Sequence, residues 1–374
     1  MTKAAIQRYV RPLSEVRTIM LERAREQRNP FDYTEPGEVA RIFDGLTSLD
    51  REEWAAAFSR AAAPHVEEAA KAEAAGDVDR ARAAHLRAYG YYRVARYPAP
   101  NSPAKREAYR RSQEHYLAAG RLLDPPIERV EMPFHGRAEE GSHVVGLLRR
   151  PRADARLPVL INFGGIDSFK EERRADPFLA AGLAVLAVDM PGVADAPVAG
   201  SEDAERMFDA VFDWIATRRD LDDGRVGVIG GSTGGYWAAK LAHTHKERLC
   251  AVVNQGGCAH FAFLPDWVEK SQHGEYPFEL AETLACAFGL STFDDWVENA
   301  PRFSLLTQAV LDRPCAPLLC VNGIHDSVFP IADHYLLLQH GDPKSARFFD
   351  VGHMGHTPQT TPIIVNWLSA RLRG

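Results

Sequence analysis

The stretch Val226-Gly227-Val228-Ile229-Gly230-Gly231-Ser232-Thr233-Gly234-Gly235-Tyr236 constrains this chain more than any other. An apolar run of strand length stops at two glycines, a serine follows, and Tyr236 to Ala242 continues as a helix. A buried strand that turns so abruptly into a helix leaves Ser232 at the tip of the bend. Gly230 and Gly234, two residues to either side, keep side chains from colliding across it, which is the G-x-S-x-G spacing of a nucleophile elbow. The helix N-terminus then faces the place where negative charge would develop on a reacting carbonyl oxygen. Glycine-rich turns of this kind also cradle phosphates in nucleotide-binding proteins. Here the Gly-Lys-Ser/Thr ending and the GxGxxG spacing are both missing.

A serine hydroxyl needs a base to take its proton and a carboxylate to orient that base. With an elbow of this type the partners follow in the order acid, then histidine. The acid is expected after the penultimate strand, where Leu318 to Val321 leads into Asn322-Gly323-Ile324-His325-Asp326 before a helix opening at Pro330. Asp326 is therefore the candidate acid, its other reading being a turn or capping residue. The histidine is expected after the last strand, where Gly352-His353-Met354-Gly355-His356-Thr357-Pro358 offers two. His353 lies close to the strand end on a glycine-flanked loop, whereas His356 abuts a helix start at Thr357-Pro358, so His353 is the candidate base. As a His-x-x-His metal pair these two lack a nearby third ligand and the HExxH arrangement, and no metal is expected. The second oxyanion donor, besides the N–H of Thr233, should come from the loop Asn162 to Glu172, where Gly165 or Ile166 is placed to supply it. The charge run Lys170 to Arg174 reads as a solvated first helical turn, with Asp167 and Lys170 available to brace the loop.

From Pro12 to about Leu123 apolar residues recur at helical spacing, for example Trp54, Ala57, Phe58 and Ala61, then Ala81, Ala84, His85, Ala88 and Tyr92. Tyr89, Tyr91, Tyr92 and Tyr97 are read as packing residues or as walls of a substrate cavity. At Asp124-Pro125-Pro126 the helical pattern stops and the period becomes two. Two strands joined by a polar turn, 127–134 and 143–148, precede apolar runs at 157–163, 183–188, 225–229, 249–254, 317–321 and 346–351. Helical segments at 171–181, 201–219, 233–246, 330–340 and 358–372 alternate with them. The expectation is an α/β fold, an eight-stranded mostly parallel sheet covered by helices on both faces. Residues 1–125 would be a separate helical domain and 126–374 the catalytic one. Between Gly257 and Pro314 an insertion at 258–313, carrying Phe261, Phe263, Trp267, Tyr276, Phe278, Phe288, Phe293, Trp296 and Phe303, reads as a helical lid over the strand ends.

Composition narrows the partners. A formal net charge of -7 leaves no electrostatic footprint for nucleic acid or an anionic membrane surface. The N-terminus lacks an apolar run of signal-peptide length and nowhere do 18 uncharged apolar residues follow one another, so a cytoplasmic location is expected. The five cysteines form no CxxC pair and read as free thiols.

The run Gly164-Gly165-Ile166-Asp167-Ser168-Phe169-Lys170-Glu171-Glu172 resembles the Gly-Gly-x-Asp/Glu-Ser-x-Lys-Glu-Glu signature of a group of α/β-hydrolases. That group includes the FrsA-like esterases, the 2,6-dihydroxypseudooxynicotine hydrolase of bacterial nicotine breakdown and fungal hydrolases that shorten polyketides. Asp189-Met190-Pro191-Gly192, the elbow, Asp326 and Gly352-His353 extend the resemblance over most of the chain. It implies that residues 1–125 cap the catalytic domain and that His353 is the catalytic histidine, and it suggests a homodimer; a serine triad calls for no cofactor. The chain departs from the group at Val193-Ala194-Asp195-Ala196, where a polar residue and another glycine are usual, and after His356.

The expected activity is hydrolysis of an ester, or of a carbon–carbon bond next to a carbonyl as in β-diketones, in a hydrophobic or aromatic small molecule. A peptidase or an acyltransferase could use the same triad, and a hydrolase scaffold can be reused as a ligand-binding regulator.

Overall fold

The period change at Asp124-Pro125-Pro126 is also where the architecture changes in the computed structural model, which describes residues 6–151 and 155–373. Five helices precede it: α1 (Leu13–Arg25), α2 (Pro36–Gly45), α3 (Arg51–Ala74), α4 (Val78–Arg96) and α5 (Pro103–Arg121). Three begin on a side-chain cap that satisfies otherwise unpaired N–H groups. Asp50 accepts from Glu52 and Glu53, Asp77 from Arg80, and Ser102 from Lys105. Their apolar faces close on one core containing Met20, Phe31, Phe43, Trp54, Phe58, Tyr91 and Tyr97. Within it Trp54 Nε1 donates to the Val94 carbonyl oxygen at 2.7 Å, tying α3 to α4. Tyr89, Tyr91 and Tyr97 are buried and Tyr92 is half-buried, and Tyr91, Tyr92 and Tyr97 pack in or against this core.

The chain divides into two compact units, and the helical one, Val10–Glu128, also includes Pro277–Glu279. Phe278 belongs to its core, with ring centroids 5.3 Å from Trp54 and 5.8 Å from Tyr97. Glu279 accepts from Arg51 at 2.9 Å and from Asn101 at 3.3 Å. Three residues of the 258–313 insertion are thus structurally part of the helical unit.

The other unit is built on the strands β1 (Glu128–Pro133), β2 (His143–Arg149), β3 (Leu157–Phe163), β4 (Ala184–Val188), β5 (Leu221–Gly231), β6 (Ala251–Gln255), β7 (Leu318–Gly323) and β8 (Lys344–Phe349). They form one sheet in the order β1-β2-β4-β3-β5-β6-β7-β8. β2 runs antiparallel to β4, and the pairs from β4 to β8 are parallel. Every residue of β3 and β4 is buried, as expected of strands covered on both faces. The covering and connecting helices are α6 (Asp176–Ala180), α7 (Met207–Thr217), α8 (Thr233–Thr244), α9 (Pro265–Ser271), α10 (Leu280–Ala287), α11 (Phe293–Asn299), α12 (Ile331–Leu338) and α13 (Thr360–Leu372). Strand order reverses about β3, whose neighbours are β4 and β5. In the register Phe163 pairs with Gly230, Gly231 with Gln255, and Gly323 with Phe349, so the carboxyl ends of β3, β5, β6, β7 and β8 lie level. Loops leaving those ends meet at one edge, where open α/β sheets bind ligands.

The insertion between β6 and β7 carries α9, α10 and α11. Its start is pinned by buried Asp333 of α12, which accepts the N–H groups of His260 at 2.9 Å, Phe261 at 2.6 Å and Ala262 at 3.2 Å. Phe263, Phe288, Trp296 and Phe303 pack on one another and on Tyr236 of α8, with centroids as close as 4.5 Å for Phe288 and Phe303. These rings form a cluster within the insertion, whose helices α9 and α10 also bury Val268, Leu280 and Leu284. Among the described residues no helix is long and apolar enough to cross a membrane, and no cluster of three or more His, Cys, Asp or Glu side chains could hold a metal ion. The five cysteines are free.

Phe58 tests the helical core. It is fully buried against Phe43 and Trp54. Phe58→Ala should destabilise the unit that contains it by about 3–5 kcal/mol, read as a loss in urea unfolding. A change within experimental error would contradict the packing described.

Candidate active site

The elbow is built by close approach. Ser232 adopts φ 53° and ψ -129°, a left-handed backbone that a non-glycine residue holds only under strain. Its N–H donates to the Gln255 carbonyl oxygen at 2.8 Å, and its own carbonyl oxygen accepts from Gly235 at 2.7 Å. A Cβ on Gly230 would lie 2.1 Å from the Gly234 carbonyl oxygen, and one on Gly234 would lie 2.2 Å from that of Gly164. Both glycines are sterically required. They let the turn close and bring the loop after β3 against it.

His353 lies beyond β8 and joins the other two candidates. Its Nε2 is 2.9 Å from Ser232 Oγ and its Nδ1 is 2.8 Å from Asp326 Oδ2. Asp326 Oδ2 also accepts from Asn322 Nδ2 at 2.8 Å, while Oδ1 accepts the N–H groups of Val328 at 2.8 Å and Phe329 at 2.9 Å. Burial alone would raise the Asp326 pKa. The His353 charge and these hydrogen bonds outweigh it and hold the group below the ordinary carboxylate range. Burial likewise pushes His353 down, but the Asp326 carboxylate, with smaller contributions from Glu275 and Asp167, leaves it above its ordinary value. His356 is exposed, and it is His353 that bridges Ser232 and Asp326.

Glu275, from the insertion, escaped the sequence reading. Its Oε1 accepts the His353 backbone N–H at 3.0 Å, the Ser327 N–H at 3.2 Å and the Ser327 hydroxyl at 3.2 Å. One carboxylate therefore clamps the loop that carries the acid to the loop that carries the histidine. Met354 locks the histidine loop from the other side. It sits at φ 64°, and a Cβ on Gly256 would lie 2.8 Å from its Cα.

The candidate oxyanion donors come from two places. Thr233 is the first residue of α8, where N–H groups have no intrahelical acceptor. Gly165 approaches the serine so closely that a Cβ there would lie 2.9 Å from Ser232 Cβ and 3.2 Å from Oγ, and Ile166 follows it, buried. The run beyond this loop differs from the solvated helical turn expected of it. Lys170 and Glu171 are 2% and 4% exposed, in a single 3₁₀ turn Lys170–Glu172, and α6 is limited to Asp176–Ala180. The cause is tertiary: the Lys170 ammonium lies among the carboxylates of Glu171, Asp189 and Asp195.

Comparison with known proteins agrees with this architecture. A family model described as esterase FrsA-like matches residues 40–373. The chain is similar to the alpha/beta hydrolase ucsC of an Acremonium species, 31% identical over 253 residues that make up 60% of this chain and 51% of that protein. It is similar to the esterase FrsA of Vibrio cholerae, 25% identical over 331 residues, covering 85% of this chain and 76% of that one. The chain spans about half the length of the first curated relatives it matches, 51% and 55%. The crystal structure of the 2,6-dihydroxy-pseudo-oxynicotine hydrolase resembles it with a TM-score of 0.75 at 21% identity, covering 91% of this chain and 94% of that one, a likeness of fold.

Asp326→Asn tests the electrostatics. An amide must turn N–H groups toward donors that now share the carboxylate, at a cost of about 1–3 kcal/mol for each donor left unmatched. With the negative charge gone, the His353 ring should titrate at lower pH than in the wild type, followed by NMR of its ring protons. An unchanged titration would show that Asp326 does not charge the ring.

Proposed function

This chain belongs to the esterase FrsA-like family, and we propose that it is a serine hydrolase cleaving an ester, or a carbon–carbon bond next to a carbonyl, through Ser232, His353 and Asp326. Membership of the family supports the hydrolase reading, and the proposal extends it to the bond cleaved and the residues that act. What carries the reading is one imidazole held between two partners, 2.9 Å from a strained serine hydroxyl and 2.8 Å from a buried carboxylate.

In this reading His353 Nε2 takes the Ser232 proton as Oγ bonds to the substrate carbonyl carbon, and the carbonyl electrons move onto oxygen. The N–H groups of Thr233 and of Gly165 or Ile166 receive that charge, and losing one such donor costs on the order of 10²–10³-fold in turnover. Asp326 fixes the tautomer, keeping the proton on Nδ1, and stabilises the imidazolium without itself being protonated. As the tetrahedral centre collapses, the C=O re-forms and the bond to the leaving group breaks. The Nε2 proton passes to an alkoxide oxygen for an ester, or to the α-carbon of an enolate for a β-diketone. Water then gives a proton to His353 and attacks the acyl carbon, and Ser232 recovers its proton as the acyl group leaves.

His353 must be neutral to act as base, and its pKa lies above the ordinary histidine value. Hence kcat/KM should rise with pH through that elevated value and then level off. In Glu275→Gln the amide oxygen can still accept from His353 N–H while the negative charge is lost. The rising limb should then move to lower pH; an unmoved limb would show that Glu275 has no electrostatic hold on the base.

The bond cleaved is decided by assaying p-nitrophenyl esters and aromatic β-diketones on wild type and Ser232→Ala, with products identified by mass spectrometry. Turnover should vanish in Ser232→Ala while its circular dichroism matches the wild type. Activity retained by that variant would overturn the assignment.

A further inference from the structure

Lys170 ends the loop that begins at Gly164 and is held at three points. Its ammonium lies 2.8 Å from Asp189 Oδ2, 2.6 Å from Asp195 Oδ2 and 3.1 Å from Glu171 Oε1. Asp189, directly after β4, also uses Oδ1 to accept the Lys170 backbone N–H at 2.9 Å, and its Oδ2 accepts the Asp195 N–H at 3.2 Å. One carboxylate thus grips both the main chain and the side chain of Lys170. Asp195 belongs to Val193-Ala194-Asp195-Ala196, where this chain departs from the hydrolases it resembles.

We propose that Lys170, caged by Asp189 and Asp195, is a positioning residue that fixes the Gly164–Lys170 loop so that its N–H meets the oxyanion formed on the Ser232 adduct. The proposal rests on the serine-hydrolase reading above. Three observations carry it. First, the loop is packed tightly enough to transmit position. A Cβ on Gly164 would lie 1.9 Å from the Ser168 carbonyl oxygen, so the loop's return leg lies on its outgoing leg, and at the other end Gly165 touches Ser232. A shift of Lys170 has little slack to absorb it. Second, an ammonium buried with two carboxylates, as Lys170 is with Glu171 and Asp189, is a poor stabiliser, since apolar side chains of similar volume commonly do as well. What a charged cage adds is directional geometry. Third, one ammonium facing three carboxylates would leave excess negative charge at the end of the loop. Burial pushes Glu171 up to about 7 and raises Asp189 too, which favours proton uptake by the cluster and works against that excess.

The test compares Lys170→Met, Asp189→Asn and Asp195→Ala with wild type. Each is titrated with a fluorophosphonate to count competent sites, and then assayed for kcat and KM per titrated site on a p-nitrophenyl ester. Misplacing a catalytic group by about 1 Å costs on the order of 100-fold. Lys170→Met and Asp189→Asn should therefore lose kcat per site by roughly 10- to 100-fold, with KM within about twofold and a smaller loss in Asp195→Ala. Affinity for a boronic acid, which mimics the tetrahedral adduct, should fall in proportion to kcat/KM. A purely structural role would reduce the number of titratable sites and leave the rate per site and the boronate affinity unchanged, and that result overturns the proposal. Should Lys170→Met not fold, Asp189→Asn, of nearly the same shape, and Asp195→Ala carry the same criteria. A wild type that does not react with the fluorophosphonate overturns instead the serine-hydrolase reading on which the proposal stands.

Discussion

Holding a serine in a left-handed backbone at the end of a buried strand imposes conditions on everything around it. Ser232 keeps φ 53° only because its neighbours over-determine it. β5 fixes one side through the sheet, α8 fixes the other, and the Gln255 carbonyl oxygen takes the Ser232 N–H. No side chain fits at Gly230 or Gly234; the loop after β3 passes so close to Ser232 that Gly165 is excluded from bearing one, and the folding of that loop on itself excludes one at Gly164. The parallel register then brings the ends of β7 and β8 level with β5, so a short loop from each suffices to reach the serine. The hydrogen-bonded line from Ser232 through His353 to Asp326 follows from this layout.

Electrostatics complete what packing begins. His353 is surrounded by acids: Asp326 in direct contact, Glu275 on its backbone N–H, and Asp167 close enough to act through space. Together they keep an imidazolium favourable in a buried place that would otherwise expel it. Asp326 can afford its charge because four N–H donors converge on it. Within the Gly164–Lys170 loop beside the serine, the cation of Lys170 is engaged by Asp189 and Asp195. Carboxylates thus surround His353, and the loop after β3 carries cations at Lys170, among Asp189 and Asp195, and at Arg173, which donates to Ser168 Oγ.

Much of this was legible in the sequence. The strands of the sheet are short apolar runs bounded by turn residues, and the elbow announces itself by glycines that sterics require. Given Ser232, the chain order led to Asp326 and His353, and the glycine on either side of the His353–Met354 pair marked the loop that closes on the site. Other parts had no local signal. Glu275 acts on a backbone N–H some eighty residues away, from an irregular stretch of an insertion, so neither its spacing nor its neighbours mark it. Lys170-Glu171 reads as a solvated turn because burial of charge is decided by Asp189 and Asp195, which only the fold brings near. The insertion's aromatic residues were visible, yet periodicity cannot say whether rings face a ligand or, as Phe288, Trp296 and Phe303 do, one another. Pro277–Glu279 likewise looked like any other part of the insertion, although Phe278 completes the core of the helical unit.

The central claim is that Ser232 carries the acyl group during turnover. It is tested most directly by mixing the enzyme with excess p-nitrophenyl ester, quenching in acid within the first turnover, and mapping the protein by mass spectrometry. One acyl group on the peptide containing Ser232, formed in step with a burst of nitrophenol, is the result this account requires. An unmodified Ser232 during active turnover, or an acyl group carried by another residue, would contradict it.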